Sequence, residues 1–275
     1  MRPIVSIIIV NYNTGEFLRR CIQSIKETTK NLSIPGCEVI IVDNASSDKG
    51  VTSIVNTVGT TGIRIIQNKE NVGFARAVNR GIKKAEGKYI LLLNPDTEVK
   101  DGAIAKLVEF AQETRNVGVV GTRLLNPDGL VQSSVFRFPT FGRAIHEFWL
   151  DRKVYSKYAP DGNIPVRVDA VVGAAFLITP VALKEVGMLD EHYFMYFEDL
   201  DYCRRVKKAG LKVYYLPQAQ VVHHHGVSGR GLVEEENQWR RLVPASKIYH
   251  GTLKHYLINA VIWSGQKWQR ILKKL

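Results

Sequence analysis

The sequence predicts an α/β fold with a mostly parallel central sheet that is covered by helices on both faces. Strand-like and helix-like segments alternate up to Leu93, which is typical of a parallel sheet. Several strand-like segments are continuously apolar, the pattern of strands that are buried on both faces. Three of them, ending at Val10, Val42 and Leu93, run into polar loops. Because the carboxyl ends of parallel strands share one edge of a sheet, a binding site is expected there.

The first half of the chain contains the clearest elements. Apolar spacing predicts strands at residues 4–10, 39–42, 63–66 and 89–93 and helices at residues 17–28 and 52–58. Small residues within 71–81 open a further helix, and Phe74, Val78 and Ile82 are expected on its inward face.

The second half changes character after Gly121. An Asn-Pro-Asp-Gly turn at residues 126–129 precedes an extended segment at residues 130–138. The other predicted elements are a loop with a short helix at residues 142–165, a strand at 168–178, a helix at 180–186, a helix from Glu198 to Gly210, and a strand beginning near Val213.

Residues 89–101, YILLLNPDTEVKD, are the segment around which the rest of the fold is expected to be organised. The apolar run is a central strand, and Pro95 ends it because proline cannot continue a central strand. Asp96 is therefore expected at the carboxyl end of that strand, on the ligand-binding edge. The alternative is an ordinary turn before a helix that begins at Gly102.

Polar residues also follow the other buried strands. Asn11, Asp43 and Asp48 come after the first two strands, and with Asp96 they are expected to converge at one edge of the sheet. The loop after the first strand lacks the GxGxxG fingerprint, and the chain has no GxxxxGK[ST] motif. NAD-type and P-loop chemistry therefore have no motif to support them.

A second cluster of chemically active side chains lies later in the chain. Glu198 and Asp199 occupy the first turn of a predicted helix, and four aromatic residues come just before them. Acids in this position commonly only cap a helix, and a catalytic role is the second, more specific interpretation. His223, His224 and His225 follow a predicted strand, where one histidine could bind a metal, although solvated loop histidines are commoner.

Composition limits the remaining classes. A chain of 275 residues with 45% hydrophobic content can bury one large core. Three cysteines without metal-ligand spacing favour a reducing cytosol over a disulfide scaffold. The apolar run near the start reads as a strand and not as a signal peptide, and no apolar run is long enough to cross a membrane.

Positive charge is concentrated at the end of the chain. Residues from Arg204 onward contain 14 lysines and arginines and three glutamates, so they carry +11 of the net charge of +12. After residue 246 the basic residues alternate with tyrosines, tryptophans and leucines. This mixture suits peripheral contact with an anionic membrane. Packing on the catalytic domain or in a homodimer is the alternative, whereas nucleic acid is disfavoured because no reading motif is present.

The motifs together resemble those of nucleotide-sugar-dependent family 2 glycosyltransferases, in particular the bacterial rhamnosyltransferase-like branch. The matching segments are VSIIIVNYN, VDNASSD, NVGFARAVNRGI, LLLNPDT, VGAAFLI, FMYFEDLDYCRR and VVHHHGVS, in family order across residues 4–230. The resemblance implies a GT-A fold, with a catalytic domain at residues 1–245 and a basic helical extension at residues 246–275.

The resemblance also implies roles for individual residues. It assigns the donor nucleotide to Asn11, Asp43, Asp48, Asn71, Gly73 and Asn94, a divalent metal to Asp96 and His223, the catalytic base to Asp199, and the surroundings of the acceptor and sugar to Gly173, Ala174 and Glu198. The chain departs from the family's Asp-x-Asp pair because Asn94 occupies the first position. One charge fewer predicts weaker binding of Mg²⁺ or Mn²⁺.

The implied activity is transfer of a sugar with inversion, rhamnose from dTDP-rhamnose or another hexose, to a hydroxyl of a growing polysaccharide or lipid-linked glycan. The expected location is the cytoplasm or the inner face of the plasma membrane. One alternative is a module that binds nucleotide sugars without turnover. The other is a nucleotidyltransferase, although the loop NYNTGEF lacks the glycines and lysines of that class.

Overall fold

The structure is a computed structural model that describes residues 3–30, 36–48, 51, 62–224 and 239–272. Its strands are β1 (Val5–Asn11), β2 (Cys37–Asp43), β3 (Ile63–Gln67), β4 (Tyr89–Leu93), β5 (Thr97–Val99), β6 (Val117–Leu125), β7 (Val135–Phe136), β8 (Val166–Val168), β9 (Ala170–Val171), β10 (Ala175–Ile178) and β11 (Lys212–His223). Its helices are α1 (Gly15–Lys30), α2 (Phe74–Ile82), α3 (Ala103–Glu113), α4 (Phe141–Phe148), α5 (Pro180–Val186), α6 (Glu198–Lys208), α7 (Trp239–His250) and α8 (Thr252–Leu272). The helix predicted at residues 52–58 and His225 lie outside the described residues.

One large sheet organises the molecule, in the strand order β3-β2-β1-β4-β10-β6-β11-β5, with β8 paired to β11. Strands β3, β2, β1 and β4 are mutually parallel, as the alternation of strands and helices predicted. Strand β10 lies antiparallel between β4 and β6, and β11 is parallel to β6. The carboxyl ends of β1, β2 and β4 therefore share one edge of the sheet.

Two hydrophobic clusters cover the two faces of this sheet. Alternate residues of β1 belong to different clusters, with Ile7 in one and Ile8 in the other. Leu18 of α1 packs in the first cluster, whereas Val78 of α2 and Leu200 of α6 pack in the second. This two-sided burial explains why the strands read as continuous apolar runs.

In the second half, the predicted helices at residues 180–186 and from Glu198 and the strand near Val213 are observed, whereas the strand pairing differs from the prediction. The single strand expected at residues 168–178 is divided among β8, β9 and β10, which pair with β11, β7 and β4 respectively. The turn after β4 does not lead directly into a helix, because β5 first pairs with β11. Such pairings depend on distant strands, and the local sequence does not contain them.

The C-terminal helices pack on the rest of the chain. Gly265 of α8 lies against Phe148 of α4 so closely that an added Cβ would be 2.6 Å from the Phe148 carbonyl oxygen. The Trp149 indole Nε1 donates to the Val261 carbonyl oxygen at 3.3 Å. Helix α7 spans residue 246, where the sequence-based domain boundary was placed. Among the described helices, none combines the length and apolar character needed to cross a membrane.

Candidate active site

A cavity of about 490 Å³ collects residues from the ends of β1, β4 and β11 and from the beginning of α6. Nine of the twelve predicted site residues line it: Asn71, Gly73, Asn94, Asp96, Gly173, Ala174, Glu198, Asp199 and His223. Asn11, Asp43 and Asp48 are not among the lining residues. Of the four residues expected to converge at this edge of the sheet, Asp96 therefore lines the cavity, whereas Asn11, Asp43 and Asp48 do not.

The three residues outside the cavity are engaged in holding the loops after β1 and β2. The buried Asn11 donates from Nδ2 to Asp43 Oδ1 at 2.8 Å and to Ser46 Oγ at 2.9 Å. Asp48 Oδ2 accepts from the backbone N–H of Gly15 at 2.9 Å, at the first residue of α1. These contacts fix the backbone at the strand ends.

Asn44 is a site residue that the sequence did not single out. It is buried, and its Nδ2 donates to Asn71 Oδ1 at 2.7 Å, while its Oδ1 accepts from Asn68 Nδ2 at 2.9 Å and from the Val72 N–H at 3.1 Å. The Gly73 N–H donates in turn to Asn71 Oδ1 at 3.0 Å. The signal that could have identified Asn44 is its place next to Asp43, at the end of a buried strand.

Gly73 permits close approach of the aromatic segment that precedes α6. Its φ is 85°, and an added Cβ would lie 2.6 Å from the Phe194 carbonyl oxygen. The Phe74 N–H donates to that same oxygen at 2.6 Å. Tyr196 and Phe197 both have positive φ, 72° and 68°. Such backbone strain costs about 1–3 kcal/mol per residue and is concentrated at functional sites.

Asp96 and His223 form the first of two carboxylate groupings in the cavity. Both are buried, and Asp96 Oδ1 lies 3.6 Å from His223 Nε2. His223 Nδ1 is 2.7 Å from Gln132 Oε1, an oxygen that can only accept, so Nδ1 is the donor and Nε2 is the ring nitrogen that lies on the Asp96 side. Two atoms that bind one small divalent cation are separated by roughly 3–3.6 Å. The donor set therefore fits a shared cation, and a hydrogen-bonded second ring nitrogen is usual for a ligating histidine.

The neighbouring histidine has a different contact. His224 Nε2 is 2.8 Å from Glu98 Oε1, and the His224 N–H donates to the Asp96 carbonyl oxygen at 2.9 Å. Of the two histidines within the described part of β11 and its end, His223 is thus the one whose ring lies beside the Asp96 carboxyl group.

Glu198 and Asp199 form the second grouping, at the first turn of α6. Asp199 accepts two backbone N–H groups, from Leu200 at 2.7 Å and from Gly173 at 3.1 Å. Glu198 Oε2 is buried without a hydrogen-bond partner in the described part of the chain. Burial and the neighbouring Asp199 charge raise the pKa of Glu198 to about 8. Burial and the charge of its neighbour thus both favour the protonated form of Glu198.

The surroundings of Asp199 act on its ionisation in opposite directions. Burial raises the pKa of its carboxyl group, and the N–H groups of Leu200 and Gly173 and the charge of Lys157 oppose that rise. Lys157 also lines the cavity. It comes from an irregular segment without periodicity, which is why the sequence did not indicate it. A raised pKa makes the Asp199 carboxylate a stronger base.

Residues 173 and 174 connect the two carboxylate groupings. The Gly173 N–H donates to Asp199, and the next residue, Ala174, accepts the Asn94 N–H on its carbonyl oxygen at 2.9 Å. Asn94 belongs to the turn that holds Asp96. The start of α6 and the end of β4 are thus held together through two consecutive backbone units.

Comparisons with known proteins agree with this architecture. The profile of the family described as glycosyl transferase family 2 matches residues 6–170. The chain is 28% identical over 242 residues to the N-acetylglucosaminyl-diphospho-decaprenol L-rhamnosyltransferase of Mycobacterium tuberculosis, covering 82% of this chain and 77% of that protein. It is 25% identical over 244 residues to rhamnosyltransferase WbbL of Escherichia coli, covering 86% of this chain and 89% of that protein.

Two solved structures show the same fold at low identity. GalNAc-T7, solved with UDP, GalNAc and Mn²⁺, has a TM-score of 0.61 at 19% identity. The match covers 81% of this chain and 44% of the GalNAc-T7 chain. The mannosyltransferase PcManGT of Pyrobaculum calidifontis, solved with GDP-Man and Mn²⁺, has a TM-score of 0.61 at 17% identity. The match covers 96% of this chain and 70% of the PcManGT chain. The predicted GT-A fold is thereby confirmed. With the family profile matched over more than half of its length, the chain belongs to glycosyl transferase family 2.

Proposed function

We propose that this chain is a metal-dependent, inverting glycosyltransferase that moves a hexose from a nucleoside-diphosphate donor to a hydroxyl of a glycan or lipid-linked acceptor. The observation that supports it most is the presence of two different carboxylate groupings in one cavity, Asp96 with His223 and Asp199 with Glu198. Direct displacement at a sugar carbon needs charge stabilisation for the leaving group and a base for the incoming hydroxyl.

Similarity to two rhamnosyltransferases supports rhamnose as the transferred sugar. We propose dTDP as its carrier, as the family resemblance implies. The Mycobacterium tuberculosis relative is named for a lipid diphosphate acceptor, which supports a lipid-linked acceptor here. Asn71 and Gly73, held by Asn44 at the end of β2, supply polar backbone and side-chain groups for the donor.

Asp96 and His223 are the residues that would hold a divalent cation, because their ligand atoms lie 3.6 Å apart and Gln132 fixes the histidine tautomer. A bound Mg²⁺ or Mn²⁺ supplies positive charge for the departing diphosphate. No group of three or more histidine, cysteine, aspartate or glutamate ligands occurs among the described residues. Two protein ligands suffice where substrate phosphates complete the coordination.

Asp199 is proposed as the base that accepts the proton of the acceptor hydroxyl. Its two backbone N–H contacts hold the carboxyl group in place, and burial together with the Asp199 charge favours the protonated form of Glu198, which makes Asp199 the proposed charged member of the pair. Lys157 adds a positive charge on the same side of the cavity.

The test is a panel of nucleotide sugars with purified protein, scored for nucleoside-diphosphate release and for product in the presence of Mn²⁺ or of a chelator. We expect release with one donor class, loss of activity with the chelator, and loss in Asp199→Asn. Donor binding without turnover would identify a binding module instead. Release of pyrophosphate from a nucleoside triphosphate would identify a nucleotidyltransferase.

A further inference from the structure

Helix α8 has an unusual distribution of apolar side chains. One face contacts the rest of the protein, with His255, Ile258 and Gly265 buried. A surface helix of this kind normally has a polar outer face. The outer face of α8 instead carries large exposed apolar side chains, with 74% of Leu253 and 61% of Trp263 exposed to solvent. We call the set Leu253, Tyr256, Leu257, Trp263 and Ile271 the α8 face.

The charged residues of α7 and α8 themselves are all basic. Residues 239–272 contain no aspartate or glutamate, and their basic residues are Arg240, Arg241, Lys247, Lys254, Lys267 and Arg270. Lys267 Nζ lies 3.8 Å from the centre of the Trp263 ring, and Lys247 Nζ donates to the Tyr256 hydroxyl at 2.9 Å. Cations beside exposed aromatic and leucine side chains are typical of helices that lie at a membrane surface.

The α8 face is connected to the cavity through α7. Leu242 of α7 lines the cavity, and the Arg241 guanidinium lies 4.7 Å from the centre of the Phe194 ring, which also lines it. Helix α7 ends at His250 and leads through Gly251 directly into α8. A surface that binds the α8 face is thereby held at a constant position relative to the cavity.

We propose that the α8 face docks on an anionic lipid bilayer and so presents the cavity to a membrane-embedded acceptor. The role of the acceptor rests on the proposed function, whereas the docking itself does not. A second copy of this chain is a poor occupant, because it would bring the same six cations of residues 239–272 and no acid from that segment. Anionic headgroups over an apolar interior match both the charge and the apolar side chains, as at the cytoplasmic leaflet.

The experiment is flotation of the full chain with vesicles of phosphatidylcholine alone and of phosphatidylcholine mixed with phosphatidylglycerol. We expect binding to the mixed vesicles that weakens at high salt, and much less binding to the neutral ones. Leu253→Gln with Trp263→Gln should weaken binding at least about tenfold, because two inserted apolar side chains are lost. Lys254→Gln with Lys267→Gln should weaken it about 30-fold, since each basic residue contributes a factor of about five.

The matched control is Ile164→Gln, because Ile164 is 72% exposed but lies outside the C-terminal helices. This variant should float as the wild type does. Donor turnover without vesicles, measured with a water-soluble acceptor, should be the same in all variants, so an inactive wild type would contradict only the proposed function. Equal binding to both vesicle types, no binding, or binding unaffected by the α8 variants would overturn the docking proposal. So would a wild-type dimer that Leu253→Gln with Trp263→Gln dissociates.

Discussion

The two carboxylate groupings of the cavity are both buried, yet their neighbours make them suited to different tasks. Asp96 lies beside the Nε2 atom of His223, an arrangement that suits a cation. Asp199 lies beside a second carboxyl group and two N–H donors, an arrangement that suits exchange of a proton. Burial alone therefore does not distinguish the roles of the two carboxyl groups. The atoms that lie close to each carboxyl group distinguish them.

Replacement of Asp96 by Asn should have the largest effect. Removing the carboxylate charge from the cation site should raise the activation free energy by several kcal/mol, which lowers turnover about a thousandfold. It should also weaken Mn²⁺ binding in the presence of a nucleoside diphosphate. Turnover and Mn²⁺ titration measure the two effects. Asp101→Asn, an exposed acid five positions away, is the control and should leave both unchanged. An Asp96→Asn enzyme with full Mn²⁺-dependent activity would refute this assignment.

Replacement of Asp199 by Asn tests the other grouping. Transfer should fall on the order of a hundredfold or more because the proton acceptor is lost, while donor affinity changes little. Glu198→Gln should cost less, since burial and the Asp199 charge favour the protonated form of Glu198, which glutamine resembles. Transfer rate and donor affinity should be measured for both variants. If Glu198→Gln is inactive and Asp199→Asn is not, the two roles are reversed.

Replacement of His223 by Ala should have an intermediate effect, raising the metal concentration for half-maximal activity about tenfold. Gln132→Ala should shift it in the same direction, because the histidine tautomer is no longer held. His224→Ala is the control, since the His224 ring contacts Glu98. A shift in metal requirement with His224→Ala and none with His223→Ala would show that the wrong histidine was chosen.

The smallest effect on activity, but a clear one on stability, is expected from Glu198→Gln as pH changes. Folding raises the pKa of Glu198 from 4.5 to about 8. A carboxyl group whose folded-state pKa is raised contributes stability below its unfolded pKa and loses it as pH rises through the folded value. As pH rises from about 5 to 8, wild type should therefore lose unfolding free energy that Glu198→Gln retains. Denaturant titrations at several pH values measure this, and parallel curves would contradict it.

The sequence determined the first half of the fold and the position of its site. Strands β1, β2 and β4 were readable because strands buried on both faces need continuous apolar runs, and Pro95 ends the last of them. The helix from Glu198 and the acids of its first turn were also readable, because capping and apolar spacing are local. Asp96, Asp199 and Glu198 consequently reach the cavity as expected.

Only the tertiary structure decided which side chains meet. Gln132 contacts His223 across 91 positions of sequence, and Asp199 contacts Gly173 across 26. Asn11 and Asp43 hydrogen-bond one another and do not line the cavity.

The C-terminal region shows the same division. The sequence showed that the tail is basic and aromatic, but only packing of α8 against Phe148 decided which of its faces is exposed. The physical reason is that periodicity and turn residues act over a few positions. Side-chain partners are chosen by surfaces that meet only after the sheet has formed.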